Sequence, residues 1–354
     1  MEIEIKINDT IFTNFTKFNY KRSMTNFTQL LDFEYIVEEE AFFTKEDKIQ
    51  VRFDKQLVFD GIVIDDPRSI DFSNNTYKLQ AFCKDKFYGF ESQISQSCNQ
   101  TGTVDIAVVI KNIGAELLYD SLDIEAIGVD TKITLDKDFS CDVGSTGLEL
   151  LKPMLNNAQL LMYSNGFDRI VLTRTSTEQI PNYKLIANKS GIENNVIRVE
   201  KLDNDILSYG AIELVYKTDS PNGKKKKSEP ESSILAKSFT NGLPNRKKVV
   251  VATYSVNTNE ADNLIKFLAG NYKRFKSQIN ITVPSFYSNE STKDYFKINT
   301  LIYLECDYLK IKDYMLIIEA NFKYNKEQQI YQTDLILVDK SGIDVLDYVE
   351  INKK

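Results

Sequence analysis

The chain has 354 residues, a length that corresponds to two or three domains at roughly 100 to 200 residues each. It carries 44 lysine and arginine residues against 51 aspartate and glutamate residues, so the net charge of -7 argues against attraction to nucleic-acid phosphates as a driving force. Histidine is absent, which removes the side chain most used in acid–base catalysis and in zinc sites.

The cysteines and the amino terminus limit the redox chemistry and the targeting that we expect. The four cysteines stand far apart without a Cys-x-x-Cys pair, which indicates buried thiols rather than disulfides or a metal site. No apolar run is long enough to span a bilayer, and MEIEIKINDT lacks the basic start and apolar core of a signal peptide. We therefore expect a chain made in a cytoplasm, without a membrane span, metal or cofactor.

Residues 1–92 are predicted to form a first, β-barrel-like domain. In the opening IEIKI, Ile3, Ile5 and Ile7 alternate with charged residues, which is the period of a half-buried strand. Further strands are predicted at 33–37, 49–53, 57–64 and 77–83. Short alternating strands without a strong helix are typical of a small antiparallel sheet or barrel.

Residues 93–195 are predicted to form a small α/β domain. TGTVDIAVVIKNIG has apolar residues at helical spacing and a glycine, Gly114, at its end. STGLELLKPMLNNA predicts a second helix, in which Thr146 and Glu149 have the spacing of a capping box. Pro153 lies inside this run, so we expect a kink or a shorter helix.

A β-hairpin is predicted next in the same domain. AQLLMYSNGFDRIVLTR contains two apolar runs joined through Asn165 and Gly166, a strong local hairpin signal. Two helices beside this small sheet complete the α/β domain.

Residues 196–340 are predicted to form a second β-barrel-like domain that contains one long helix. The helix covers 258–276, with a capping box at Asn257 and Glu260 followed by an apolar stripe. Its strands are predicted at 195–199, 206–216, 279–283, 298–305, 315–324 and 331–338. Residues 341–354 are expected to be a C-terminal tail. The predicted fold class is therefore mainly β with an α/β insert.

A polar loop, TDSPNGKKKKSEPESS at 218–233, holds the candidate interaction residues. A phosphate-binding loop would need a glycine where Thr218 stands, and a strand-to-helix context. We interpret the lysine run as an exposed loop that could meet an acidic partner, with no nucleic acid as a specific ligand. The run consists of Lys224, Lys225, Lys226 and Lys227.

Two acidic clusters, Asp65–Asp66 and Glu38–Glu40, are the candidates for carboxylate catalysis. A glycosidase needs two carboxyl groups ~5 to 10 Å apart across a cleft, which adjacency at a strand end does not provide. We therefore expect no enzyme. A cell-wall glycosidase and a polysaccharide-binding module that uses exposed Tyr and Phe remain the alternatives.

The two predicted β domains carry a similar element. Residues 61–85, GIVIDDPRSIDFSNNTYKLQAFCKD, and 316–340, LIIEANFKYNKEQQIYQTDLILVDK, both consist of a strand, a long polar hairpin, a strand and a closing Lys/Asp pair. One chain thus presents a related element near both ends.

The order of these parts resembles the baseplate hub proteins of Mu-like contractile phages and related tail-derived particles. The closest segments are EADNLIKFLAGNYKRFKSQINITVPSF with the strands after it, VFDGIVIDD, and YKLQAFCKDK. Ala81 and Phe82 depart from the small residues common at that place in the family. The resemblance covers nearly the whole chain and includes no catalytic motif.

The resemblance implies an assembly and a place for it. Three copies would form a homotrimeric ring with six similar barrels, which adapts a hexameric tail tube to a trimeric central spike. The implied partners are the spike protein and the tail tube or adjacent baseplate proteins. The implied location is the virion tail baseplate, assembled in the cytoplasm of the host bacterium.

Overall fold

The structure is a computed structural model that describes residues 2–12, 15–37, 43–71, 76–94, 98–141, 144–175, 178–203, 209–216, 231–234, 243–251, 265, 268–269 and 277–340. The lysines at 224–227, the acidic cluster at 38–40 and the tail at 341–354 lie outside these residues. The predicted helix at 258–276 also lies outside them, apart from three helical residues, Ile265, Leu268 and Ala269.

The first segment of the chain is built from strands. They are β1 (Ile3–Ile7), β2 (Thr10–Phe12), β3 (Phe15–Ser23), β4 (Leu30–Val37), β5 (Lys48–Phe53), β6 (Gln56–Asp65), β7 (Arg68–Asp71) and β8 (Thr76–Asp85). The predicted alternation in β1 is confirmed, because Ile3, Ile5 and Ile7 are buried between partly exposed charged residues. The β5–β6 hairpin turns at Asp54 and Lys55, which both have the positive φ that two-residue type I′ hairpin turns require.

The middle segment contains the helices. It comprises a 3₁₀ helix (Lys86–Glu91), β9 (Cys98–Asp105), α1 (Ile106–Glu116), β10 (Asp123–Ile127), β11 (Lys132–Cys141), α2 (Gly147–Ala158), β12 (Leu161–Ser164) and β13 (Arg169–Thr173). Strands β10 and β12 flank β13, and β9 pairs with β11. No helix among the described residues is long and apolar enough to cross a membrane.

The two helices partly follow their sequence signals. The capping box of α2 is confirmed, since Thr146 and Glu149 each accept the other's backbone N–H. Helix α2 continues through Pro153, so the alternative of a shorter helix is wrong, and the alternative of a kink stays a prediction. Helix α1 runs past Gly114 to Glu116, because this glycine serves packing instead of ending the helix: a Cβ there would lie 2.0 Å from Leu122 Cδ1.

The predicted Asn-Gly hairpin is confirmed by the antiparallel pairing of β12 with β13. Asn165 Oδ1 accepts the backbone N–H groups of Phe167, Asp168 and Arg169, at 3.0 to 3.1 Å. Gly166 has φ 95°, a conformation that favours glycine. The local sequence therefore forms the turn as its composition predicts.

The last segment is again made mainly of strands, besides the helical residues at 265, 268 and 269. The strands are β14 (Gln179–Ala187), β15 (Arg198–Asp203), β16 (Tyr209–Tyr216), β17 (Glu231–Ile234), β18 (Leu243–Val251), β19 (Ser277–Val283), β20 (Tyr287–Asn289), β21 (Asp294–Tyr295), β22 (Thr300–Cys306), β23 (Ile311–Asn325) and β24 (Ile330–Asp339). Strands β16 to β18 form a separate small sheet, and β20 pairs with β21.

The main sheet contains the same strand arrangement twice. One set lies in the order β3-β4-β8-β6-β5-β1 and the other in the order β15-β19-β24-β23-β22-β14. When the six strands of each set are numbered in chain order, both sets have the spatial order 2-3-6-5-4-1. We call these sets the first repeat and the second repeat. They differ at one end, where β1 and β5 are antiparallel but β14 and β22 are parallel.

The long hairpins of the two repeats match residue by residue. The register of β6 on β8 shifts between Val63 and Asp65, and that of β23 on β24 shifts between Ile317 and Glu319. These irregularities stand 254 residues apart (317 minus 63). After the shift β7 continues the register of β6 on β8, so β6 and β7 together correspond to β23. The sequence match of 61–85 with 316–340, at an offset of 255 residues, is therefore one residue out of register.

The two repeats share one sheet and one core. The pairings among described residues give a single 14-stranded, branched sheet in which β15, β2, β14 and β7 each pair with one strand only, and they do not close either repeat into a barrel. One hydrophobic cluster runs from Ile3 to Val338 through both repeats, while a second fills the middle segment. The mainly β class is confirmed, and the domain boundaries at 92 and 195 stay predictions.

Candidate assembly interface

The two repeats meet where β3 of the first pairs with β23 of the second. The pairing is antiparallel and runs from Ser23 opposite Glu319 to Lys17 opposite Asn325. Strand β23 is long enough to pair with β22 through its first half and with β3 through its second half. This contact, which we call the joint, makes the two repeats continuous.

Aromatic side chains fill the core side of the joint. Tyr20 of β3 stacks on Phe322 of β23, with ring centroids 6.0 Å apart and an angle of 23° between the planes. Phe53 of β5 contacts Phe322 at 5.8 Å and also two rings from the connection between β19 and β22, Phe286 and Tyr295, each at 5.3 Å. Such ring pairs contribute more than the area that they bury. Phe53 of the first repeat therefore packs against three aromatic rings from the other side of the joint.

Polar contacts fix the same junction at its edge. Lys21 Nζ lies 2.9 Å from a carboxylate oxygen of Glu319 across the β3–β23 pairing. Tyr295 Oη donates to the backbone carbonyl of Phe53 at 2.8 Å, and Tyr287 Oη donates to the carboxylate of Asp54. The two tyrosine hydrogen bonds hold the β5–β6 turn of the first repeat against the β20–β21 hairpin.

The helical middle segment docks on the first repeat through a buried polar cluster. Asp85, at the end of β8, accepts the N–H of Gln29 at 2.6 Å and that of Phe87 at 3.0 Å. The Gln29 side chain donates in turn to the carbonyl of Ser164 at 2.8 Å. Gly166 accepts the N–H of Asp60 at 2.9 Å. The Asn-Gly hairpin is thereby anchored on β6 and β8.

Burial of Asp85 predicts a pH dependence of stability. Burial raises the pKa of Asp85 from 3.8 to about 7, more than the donors at Gln29, Ser164 and Phe87 offset. Between about pH 4 and pH 7 the folded chain keeps a proton that the unfolded chain has released, so the free energy of unfolding falls as pH rises, by up to about 1.4 kcal/mol per pH unit.

The variant Asp85→Asn is expected to remove this fall, measured by urea unfolding at several pH values between 4 and 7. The matched control is Asp339→Asn, because Asp339 ends β24 at the equivalent place of the second repeat but is exposed. A wild-type stability that rises across this range, relative to Asp85→Asn, would contradict the prediction.

Of the acidic candidates from the sequence, the structure describes Asp65 and Asp66. Asp65 is exposed and pairs with Lys45 at 3.1 Å, and Asp66 pairs with Arg68 at 2.9 Å. Within the described ranges no group of three His, Cys, Asp or Glu side chains could hold a metal ion. The structure thus pairs each of the two carboxylates with a base, Asp65 on the surface and Asp66 with a side chain that is 14% exposed.

A hollow of about 360 Å³ is lined by residues of β14, of the β14–β15 connection and of 284–290. Its lining includes two tyrosines, Tyr183 and Tyr287, together with Asn195 and Glu290. Tyr183 packs edge-on against Phe296 at 5.4 Å, and the hydroxyl of Tyr287 is bonded to Asp54, as described above. Both rings therefore already take part in internal packing.

Sequence reasoning found the repeated element but missed the joint. Lys17 and Asn325, at one end of the β3–β23 pairing, stand 308 positions apart in the chain (325 minus 17). No local pattern marks such a pairing. The only available signal was the repetition itself, which indicates that two similar edges exist and could meet.

Comparison with known proteins gives structural matches only. No protein-family profile matches the chain, and no curated protein matches it in sequence. The 43 kDa tail protein of prophage MuSo2 from Shewanella oneidensis is 16% identical with a TM-score of 0.78, over 97% of this chain and 99% of that one. The tail protein from Neisseria meningitidis MC58 is 14% identical with a TM-score of 0.78, over 98% of each chain.

A third similar structure comes from a secretion system. The E. coli c3393 protein, described as a component of the type VI secretion system with structural similarity to T4 tail proteins gp27 and gp5, is 8% identical. Its TM-score is 0.57, over 94% of this chain and 76% of that one. The likeness extends over nearly the whole chain in all three cases. The chain therefore has the fold of phage tail proteins, the kind of protein that its sequence resembles.

Proposed function

We propose that the chain is a structural hub of a contractile tail baseplate. Three copies form a ring in which the two repeats of each copy occupy six similar places. Such a ring meets a hexameric tail tube on one side and a trimeric central spike on the other. It lies in the virion baseplate and assembles in the host cytoplasm.

The observation that carries this proposal is the duplicated strand order within one chain. A ring of three copies with one such repeat in each copy would present three equivalent surfaces. With two repeats in each copy, the same ring presents six similar surfaces. The tail-protein fold supports the same setting. In this role the chain makes and breaks no covalent bond.

The mass of the purified chain tests the proposed ring. Light scattering is expected to give three times the 40.7 kDa mass of one chain, and negative-stain images of the same peak a ring with six peripheral densities. A chain that stays monomeric at the highest concentration reached, or a dimer, contradicts the ring. Hydrolysis of cell-wall glycan by the same preparation would contradict a purely structural role.

A further inference from the structure

The joint inside the chain connects two different edges. The first repeat contributes the outer edge of β3, and the second repeat contributes the second half of β23. A contact between two unlike surfaces is heterologous, so its repetition leads from one unit to the next and closes as a ring or continues as a filament. The edges that the joint leaves unused therefore matter for assembly.

Each repeat keeps one edge that the joint does not use. In the second repeat this edge is the equivalent of β3, and in the first repeat it is the equivalent of the second half of β23. Strand β15 is the equivalent of β3 and ends the main sheet, with no strand on its outer side among the described residues. Strand β7 is the equivalent of the second half of β23, and within the described residues it pairs only with β8. Unpaired edges of this kind recruit strands from other chains.

We propose that β15 of one copy pairs with β7 of the next copy, in the way that β3 pairs with β23 inside the chain. The occupant of each edge is thus a second copy of this chain. The inference rests on the proposed ring and specifies the contact that closes it. Three copies then contribute three internal joints and three joints between copies.

The internal joint also fixes the register between copies. In β3 the residue pairs with β23 run from Lys17 opposite Asn325 to Arg22 opposite Ala320. The sheet pairings make 198 to 203 the equivalents of 17 to 22, and 66 to 71 the equivalents of 320 to 325. The expected pairing therefore runs antiparallel from Arg198 opposite Asp71 to Asp203 opposite Asp66.

The proline at the start of β7 does not obstruct this pairing. Pro67 lacks an N–H, but its carbonyl accepts the N–H of Gln80 at 3.1 Å, which directs its backbone towards β8. Because backbone direction alternates along a strand, the neighbours of Pro67, Asp66 and Arg68, direct their N–H and C=O groups to the outer side. The outward edge of this segment is thus complete.

The joint between copies differs chemically from the internal one. The stacked pair Tyr20 and Phe322 at the centre of the internal joint is replaced by Lys201 and Arg68. Each of these bases already has partners within its own copy: Lys201 pairs with Asp203 and Arg68 with Asp66, both at 2.9 Å, and Arg68 also donates to the carbonyl of Phe43. Two bases that face each other weaken strand pairing, so this joint is expected to be weaker than the aromatic one.

Disulfide cross-linking tests the register on the full chain. The double variant Lys201→Cys with Arg68→Cys places two thiols opposite each other in adjacent copies, at a Cα separation of about 5.5 Å that a disulfide spans. On mild oxidation it is expected to give covalent dimers and trimers that a reductant reverses. Five strands separate β15 from β8, the partner of β7, within one copy, so a bond inside one copy is not expected.

The controls distinguish this contact from others. A mixture of the two single variants is expected to give a covalent dimer and nothing larger, because each copy then offers one half of the pair. The matched control, Glu200→Cys with Arg68→Cys, places the thiols on opposite faces of the sheet and is expected to stay at the wild-type background. That background reports any bond formed by the four native cysteines.

The outcomes separate the two proposals. A threefold particle by light scattering in which the double variant gives no covalent product, or no more than the Glu200→Cys control, leaves the ring intact and overturns the β15–β7 contact. A monomer overturns both. A threefold particle with efficient, register-specific cross-linking supports both.

Discussion

Replacing Phe53 by alanine is expected to lower the free energy of unfolding by about 3 to 5 kcal/mol, the cost of removing a fully buried phenylalanine. Phe53 is 1% exposed and contacts aromatic rings of both repeats, including Phe18 at 5.7 Å and Phe286 at 5.3 Å. The substitution leaves a cavity at the joint that the flanking strands fill only in part. Urea unfolding followed by far-UV circular dichroism measures the change, since the chain has no tryptophan.

Two variants serve as controls for this prediction. Phe53→Leu keeps most of the buried volume and is expected to cost no more than about 1.5 kcal/mol. Phe82→Ala removes the same kind of side chain from β8, where it is 37% exposed, and is expected to change stability by about 0.5 kcal/mol at most. If Phe53→Ala were as mild as Phe82→Ala, the two repeats would not share the packed core described above.

Local signals in the sequence predicted local structure well. The alternation of IEIKI and the capping box of Thr146 and Glu149 each involve residues a few positions apart, so the physical cause lies within the window that a reader of the sequence examines. The continuation of α2 through Pro153 shows the limit of such signals, because Leu150, Leu151 and Met154 bury the same helix in the second core. Tertiary packing there outweighs the local cost of the proline.

The repeated hairpin is clear in the pairing register of the strands but barely visible in the identity of the residues. At the offset of 254 residues only three of the positions in 57–85 and 311–339 are identical, with Ile64, Tyr77 and Asp85 matching Ile318, Tyr331 and Asp339. The shared feature is the pairing register with its irregularity, which many apolar sequences satisfy. Pairing partners far apart in the chain leave no periodic trace, so the joint required the structure.

Glycine at one position of this repeat is required by a close backbone approach. A Cβ on Gly61 would lie 2.1 Å from the carbonyl oxygen of Lys84 and 2.9 Å from the Cα of Asp85. Both atoms belong to the backbone of β8, so no side-chain rotation relieves the clash. In the second repeat Met315 takes the equivalent place, which shows that the tight approach belongs to the first repeat, where Asp85 is buried beneath the helical segment.

Gly61→Ala is therefore expected to cost about 4 kcal/mol or more, or to prevent folding, because β6 and β8 must separate where the helical segment is anchored. The measurements are soluble yield, far-UV circular dichroism and urea unfolding. Gly191→Ala is the matched control: Gly191 has φ 73° but nothing within 4 Å of its Cβ position, so only backbone strain of about 1 kcal/mol is expected. If Gly61→Ala cost no more than Gly191→Ala, the approach of β8 would not determine the choice of glycine at position 61.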